Sequence, residues 1–110
     1  MMRQSYEGVV LTAPVSVPYV RYTNETAHWW IAKALREALK KVQMRPQDVD
    51  GLSVSSFTLA PDTPVGLTQH LGFSPRWLDT VPMGGACGVA AMRRAARAIQ
   101  AGDVDVVACV

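Results

Sequence analysis

The sequence predicts an α/β domain. Short Val-rich runs alternate with longer amphipathic stretches, Gly or Pro marks the changeovers, and the order along the chain is β, α, β, α, β, α, β. With 110 residues, 49% hydrophobic and 18% charged, the composition fits one ordinary globular domain and excludes disordered and fibrous classes. A domain of this size buries roughly 60 to 70% of the surface its unfolded chain exposes, so nearly every element has to pack against another.

The elements follow in order. Residues 8–13, GVVLTA, form a short β-rich run ended by Pro14 and Pro18, which donate no ladder hydrogen bond. Residues 14–23, PVSVPYVRYT, hold no sustained period and read as an ordered loop crossing apolar surface, with Tyr19 and Tyr22 packing their rings in preference to lining a site. Asn24 is suited to cap a helix whose apolar face is Ala27, Ile31, Ala34, Leu35, Ala38, Leu39 and Val42. Glu25 would lie in its first turn and Lys40 and Lys41 in its last, matching the partial charges at the helix ends.

After the breaker MRPQDVDG, LSVSSF reads as the second strand, with Leu52, Val54 and Phe57 opposed to Ser53 and Ser55. Thr63 before Pro64 starts a short helix that Gly72 ends. SPRWLDTV supplies a turn and a brief strand, and Val81 leads into PMGGACG. A helix then runs from Ala86 or Cys87 to Ala101, stopped by Gly102. The closing VDVVACV is an interior strand of a parallel or mixed sheet, whose neighbours are expected to come from further chain or another subunit.

Eleven basic residues against nine acidic ones give a net charge of +2, with the arginines scattered, which is not a nucleic-acid signature. No stretch approaches the roughly 18 to 20 apolar residues of a membrane span, and the N-terminus MMRQSYEG reaches a glutamate before any long apolar run, so the expected location is cytoplasmic. Cys87 and Cys109 lack metal-ligand spacing and read as reduced, buried thiols. His28, beside Trp29 and Trp30 near the helix start, has no metal partner at useful spacing; packing or a surface contact is the preferred reading over a catalytic role.

The segment with the most chemistry is MGGACGVAAMRRAARAIQAG. Gly84, Gly85 and Gly88 allow unusual dihedrals or a ligand beside the main chain, and free N–H groups at the helix start can hold an anionic oxygen. The substrate-pocket candidates are therefore Gly84, Gly85, Ala86, Cys87 and Gly88. The alanines behind them narrow the helix for close packing. A phosphate loop would need lysine and a hydroxyl residue after the glycines, and a dinucleotide fingerprint would need G-x-G-x-x-G with a later acid; both patterns fail. Arg93, Arg94 and Arg97 fall on the exposed side of the helix, where a strongly anionic cofactor can use one.

In the order of the helix ALREALKKVQMRPQDVDGLSV, the turn GGACG and the helix end RAIQAGDVDVVACV, the chain resembles the N-terminal part of the thiolase superfamily. The likeness is to the lipid-transfer-protein-associated thiolases and their aldolase relatives, and it extends over nearly the whole sequence. It implies a five-layered fold with a mixed sheet and a buried small-residue helix, of which residues 1–110 supply a partial N-terminal domain.

Family thiolases carry a nucleophilic cysteine in a C-x-[ST]-G turn. Here that frame falls on Gly85, Ala86, Cys87 and Gly88, so glycine occupies the nucleophile position and Cys87 the hydroxyl position. Glycine forms no acyl-enzyme; Cys87 is a minority candidate for a catalytic role, requiring a backbone shift that preserves attack geometry.

The resemblance therefore implies retro-aldol cleavage of a β-hydroxyacyl-CoA, with coenzyme A present as part of the thioester and no covalently bound cofactor. Implied partners are the remainder of the thiolase-like protein or a complementary subunit, a thiolase-type dimer mate, and a DUF35 partner with a zinc-containing OB-fold. The isolated chain would be inactive. The alternatives are a lipid-transfer-type thiolase or acyltransferase, and a noncatalytic thiolase-like scaffold.

Overall fold

The computed structural model describes residues 5–12, 14–55 and 62–110. Helix α1 spans Ala27–Val42, strand β1 Gly51–Val54, helix α2 Pro64–Leu71, strand β2 Trp77–Thr80, helix α3 Cys87–Gln100 and strand β3 Val107–Cys109. The three strands form one parallel sheet in the order β2-β1-β3. The expected mixed sheet is thus replaced by a purely parallel one among the described residues. No described helix is long and apolar enough to cross a membrane.

Register divides the sheet into two faces. Leu52 pairs with Leu78 and Ala108, and these join Val54, Ile31 and Leu67 in one hydrophobic cluster under α1 and α2. Leu52, Val54 and Leu67 are completely buried, each contributing about 1.5–3 kcal/mol of apolar burial. Gly51, Ser53, Trp77, Asp79, Val107 and Cys109 share the opposite face, against which α3 packs. The layers are therefore helix, sheet, helix, and β1 is buried on both faces along its whole length. That corrects the alternating reading of LSVSSF: Ser53 is as buried as its apolar neighbours. Phe57 lies outside the described residues.

Several boundaries move for identifiable reasons. Thr26, not Asn24, caps α1 by accepting the Trp29 N–H at 3.3 Å, because Thr23 already holds the Glu25 N–H at 3.0 Å in a separate turn. Glu25 consequently precedes the helix instead of occupying its first turn. Lys40 and Lys41 do sit in the last turn, and Lys41 Nζ donates to the Pro14 carbonyl at 3.1 Å. The Thr63 cap, Pro64 start and Gly72 end of α2 stand as expected.

The first expected strand does not form. Residues 8–12 carry no ladder hydrogen bonds, Val10 and Leu11 are largely exposed, and Gly8 turns the chain at φ +84°; Ala13 lies outside the described residues. A β-rich run becomes a strand only when an edge is there to pair with it. Tyr19 and Tyr22 are likewise solvent-exposed rather than packed, while Val15 and Val17 are half-buried.

Candidate functional site

All three helices begin at the carboxyl end of the sheet. Helices α2 and α3 each follow a strand, and α1 runs back toward the start of β1, so its first turn comes beside the α2 cap. Open α/β sheets bind ligands at this end. The 84–88 turn stands there. Val81 donates its N–H to the Val54 carbonyl at 3.0 Å, and a 3-10 turn at Gly84–Ala86 then feeds directly into α3.

The turn is built by glycine at one position above the rest. Gly84 adopts φ +59°, a left-handed conformation that an L side chain resists. Gly85 and Gly88 have ordinary φ, and a Cβ on either would meet nothing within 4 Å, so the turn presents open space beside its main chain. The expectation of free N–H groups here needs revision. Ala86 donates to the Met83 carbonyl at 3.3 Å and Cys87 to the Gly84 carbonyl, so the 3-10 turn already uses two of the amides near the helix start. No side chain caps α3.

Cys87 is the first residue of α3 and is half-buried, with its thiol donating to the Gly84 carbonyl. Cys109 is also a free thiol and is exposed at the end of β3, although the atoms around its sulfur push the thiol up by desolvation. Neither cysteine is the buried thiol the sequence suggested, because one ends an edge strand and the other opens a helix. Helix α3 itself is only half-covered. Ala91, Ala95, Ala96 and Ala98 face inward, whereas Val89 and Met92 are exposed, so the expected buried helix has one bare face in this chain.

A groove of about 760 Å³ runs between β2 and α3 past the entry to the turn, lined by Trp77, Asp79, Met83, Arg93 and Arg94 among others. Arg94 Nη1 lies 3.3 Å from Asp79 Oδ2 and 3.5 Å from the Thr80 carbonyl, which anchors it to the end of β2. Arg93 is exposed. Arg97, expected on the open side, is half-buried: it donates to the Ser5 carbonyl at 2.8 Å and lies over the Tyr6 ring.

A second cluster occupies the same end of the sheet on the α1 and α2 side. His28 Nε2 is 2.6 Å from Asp62 Oδ2, and Asp62 Oδ1 accepts the Thr63 N–H at 2.7 Å. The Thr63 amide and then the His28 ring hold the Asp62 carboxyl below the usual carboxylate range. His70 stacks at a tilt against His28, with ring centroids 5.2 Å apart. Asp62 was missed from sequence because 34 residues separate it from His28 and nothing in its own segment marks it. Among the described residues no group of three His, Cys, Asp or Glu side chains is placed to hold a metal ion.

The class these observations define is a mixed α/β fold with a small parallel sheet and helices on both faces, carrying a glycine turn at the strands' carboxyl end. No family model matches the chain. No curated protein matches it. A solved structure described as an Ltp2-ChsH2(DUF35) aldolase has the same fold, with a TM-score of 0.67 and 24% identity over 79% of this chain. The chain spans 22% of that structure's matched chain. The arrangement is thus similar to part of the fold of that aldolase.

Proposed function

We propose that this chain forms part of a thiolase-like enzyme that processes acyl-CoA thioesters by retro-aldol cleavage of a β-hydroxyacyl-CoA. The observation that carries the reading is the 84–88 turn: in a fold similar to an aldolase, the nucleophile position of the C-x-[ST]-G frame is Gly85, which has no side chain to acylate. Retro-aldol chemistry needs no acyl-enzyme. A base supplied elsewhere takes the β-hydroxyl proton, the carbon–carbon bond breaks, and hydrogen bonds stabilise the thioester enolate.

In this reading Gly84, Gly85, Ala86, Cys87 and Gly88 shape the acyl pocket, which the open space beside Gly85 and Gly88 favours. Arg93, in the adjoining groove, offers a cation to the phosphates of coenzyme A. The functional unit is larger than this chain: the remainder of a thiolase-like fold or a complementary subunit, arranged as a cytoplasmic dimer. The similar structure is an Ltp2-ChsH2(DUF35) aldolase, which favours a DUF35 partner here as well.

The test is turnover by the complete assembly on a panel of β-hydroxyacyl-CoA thioesters, with Cys87→Ser alongside. Cleavage to an aldehyde or ketone and the shortened acyl-CoA, undiminished in Cys87→Ser and without an acyl adduct by intact mass, is the expected result. Loss of both turnover and a wild-type adduct in that variant would make Cys87 the nucleophile of a thiolase or acyltransferase. Absence of cleavage, condensation and thiolysis across the panel would leave a noncatalytic scaffold.

A further inference from the structure

We propose that the groove between α1 and the β3 side of the sheet is a binding site for an amphipathic anion, a straight alkyl chain ending in a carboxylate. The groove is half-open, with a volume of about 450 Å³ that falls within the range of small-molecule sites. Leu35, Leu39, Val49, Phe73 and Ala108 line it. Of these, Leu35, Phe73 and Ala108 also pack against the buried core, so much of its lining is the outer surface of the core.

The charges at its border are all of one sign. Arg36 and Lys40 line the groove, and among the described residues no carboxylate does. They stand four residues apart on α1, a spacing that brings their side chains together over one stretch of surface. Among the described residues neither side chain makes an ion pair, hydrogen bond or ring contact. An apolar ligand would leave both cations unused, and a small inorganic anion would leave the apolar walls unused. A ligand with an apolar body and an anionic end engages both.

The shape favours a linear body. Along α1 the lining runs from Ala32 to Lys40, a rise of about 12 Å. This site lies on the sheet face opposite α3 and is separate from the 84–88 turn, so it stands or falls independently of the acyl-CoA reading.

Isothermal titration of the 110-residue chain with decanoate below its micellar concentration tests the proposal. The expected result is saturable one-site binding that is about tenfold weaker for decanol and for the double variant Arg36→Glu/Lys40→Glu. Ala32→Phe, which fills the groove, should weaken decanoate to a similar degree. Because Arg36 and Lys40 are exposed, the charge reversal leaves the core untouched, and circular dichroism verifies the fold. Chemical-shift mapping on the unaltered chain should place decanoate at the Leu35, Leu39 and Phe73 side chains. No saturation by about 1 mM, equal affinity for decanol and decanoate, undiminished binding by the charge-reversed variant, or shifts located elsewhere would each overturn the assignment.

Discussion

Replacing Asp50 with Asn should weaken folding by about 1–2 kcal/mol at neutral pH, and the difference should vanish in acid. Asp50 ties the beginnings of all three strands together. Its carboxylate accepts the Val106 N–H at 2.8 Å and the Asp105 N–H at 3.0 and 3.1 Å, while its main-chain carbonyl accepts the Arg76 N–H at 2.7 Å and the Trp77 N–H at 3.2 Å. Arg76 Nη2 stands 3.7 Å away from the carboxylate.

Partial burial pushes this carboxyl up, but the Val106 and Asp105 amides, its own amide and Arg76 outweigh that and hold it below the usual range. Asn keeps the shape and one acceptor oxygen but loses the charge. A hydrogen bond to a charged acceptor contributes about 1 kcal/mol more than a neutral one, so two such donors set an upper figure near 2 kcal/mol. The side chain is 23% exposed, and solvent screening lowers that figure.

Because the native pKa is depressed, the stabilisation is complete above the unfolded carboxylate value, about 3.9, and is lost as pH falls through the native value. Protonated Asp and Asn are then nearly equivalent. Urea unfolding followed by tryptophan fluorescence at neutral pH and in acid measures both statements, with Trp77 beside the altered site. A neutral-pH difference under about 0.5 kcal/mol, or one that persists unchanged in acid, would refute the reasoning.

Three further substitutions probe the packing. Gly51→Ala should cost about 1–3 kcal/mol by the same assay, since its Cβ would meet Val107 Cγ2 at 2.9 Å and Val104 Cγ1 at 3.3 Å; unchanged stability would show that these side chains yield freely. Ser53→Ala should be neutral or stabilising by about 1 kcal/mol, because the Ser53 hydroxyl is completely buried without a hydrogen-bond partner among the described residues. A clear loss of stability in that variant would reveal a partner for the hydroxyl. Gln43→Gly should raise the melting temperature through a gain of about 0.5–1 kcal/mol, as Gln43 ends α1 at φ +57°; a lowered melting temperature would contradict that account.

Of the candidate site, the glycine turn and the helix behind it were readable because a Gly cluster before an alanine-rich amphipathic stretch is a local pattern. Its hydrogen bonding was not. Whether the Ala86 and Cys87 amides stay free depends on the path from Met83, and the chain took a 3-10 turn that consumes both. The His28–Asp62 pair was unreadable for a different reason: it joins the start of α1 to the residue before the α2 cap, and only the packing of those helices brings the two together. Arg97 shows the same limit, since its partner carbonyl belongs to Ser5 at the other end of the sequence.

By itself the sequence determined the α/β class, the Thr63 and Gly72 limits of α2 and the extent of α3, because caps, breakers and helical periodicity act over a few residues. Tertiary structure decided which β-rich runs became strands. GVVL and VAC have similar intrinsic preference, but only the second found the edge of β1, with Val110 donating to the Ser53 carbonyl at 2.8 Å, while Val10 and Leu11 remain in solvent. Strand formation requires a partner's hydrogen bonds and a face to bury, and neither is written in the run that supplies the strand.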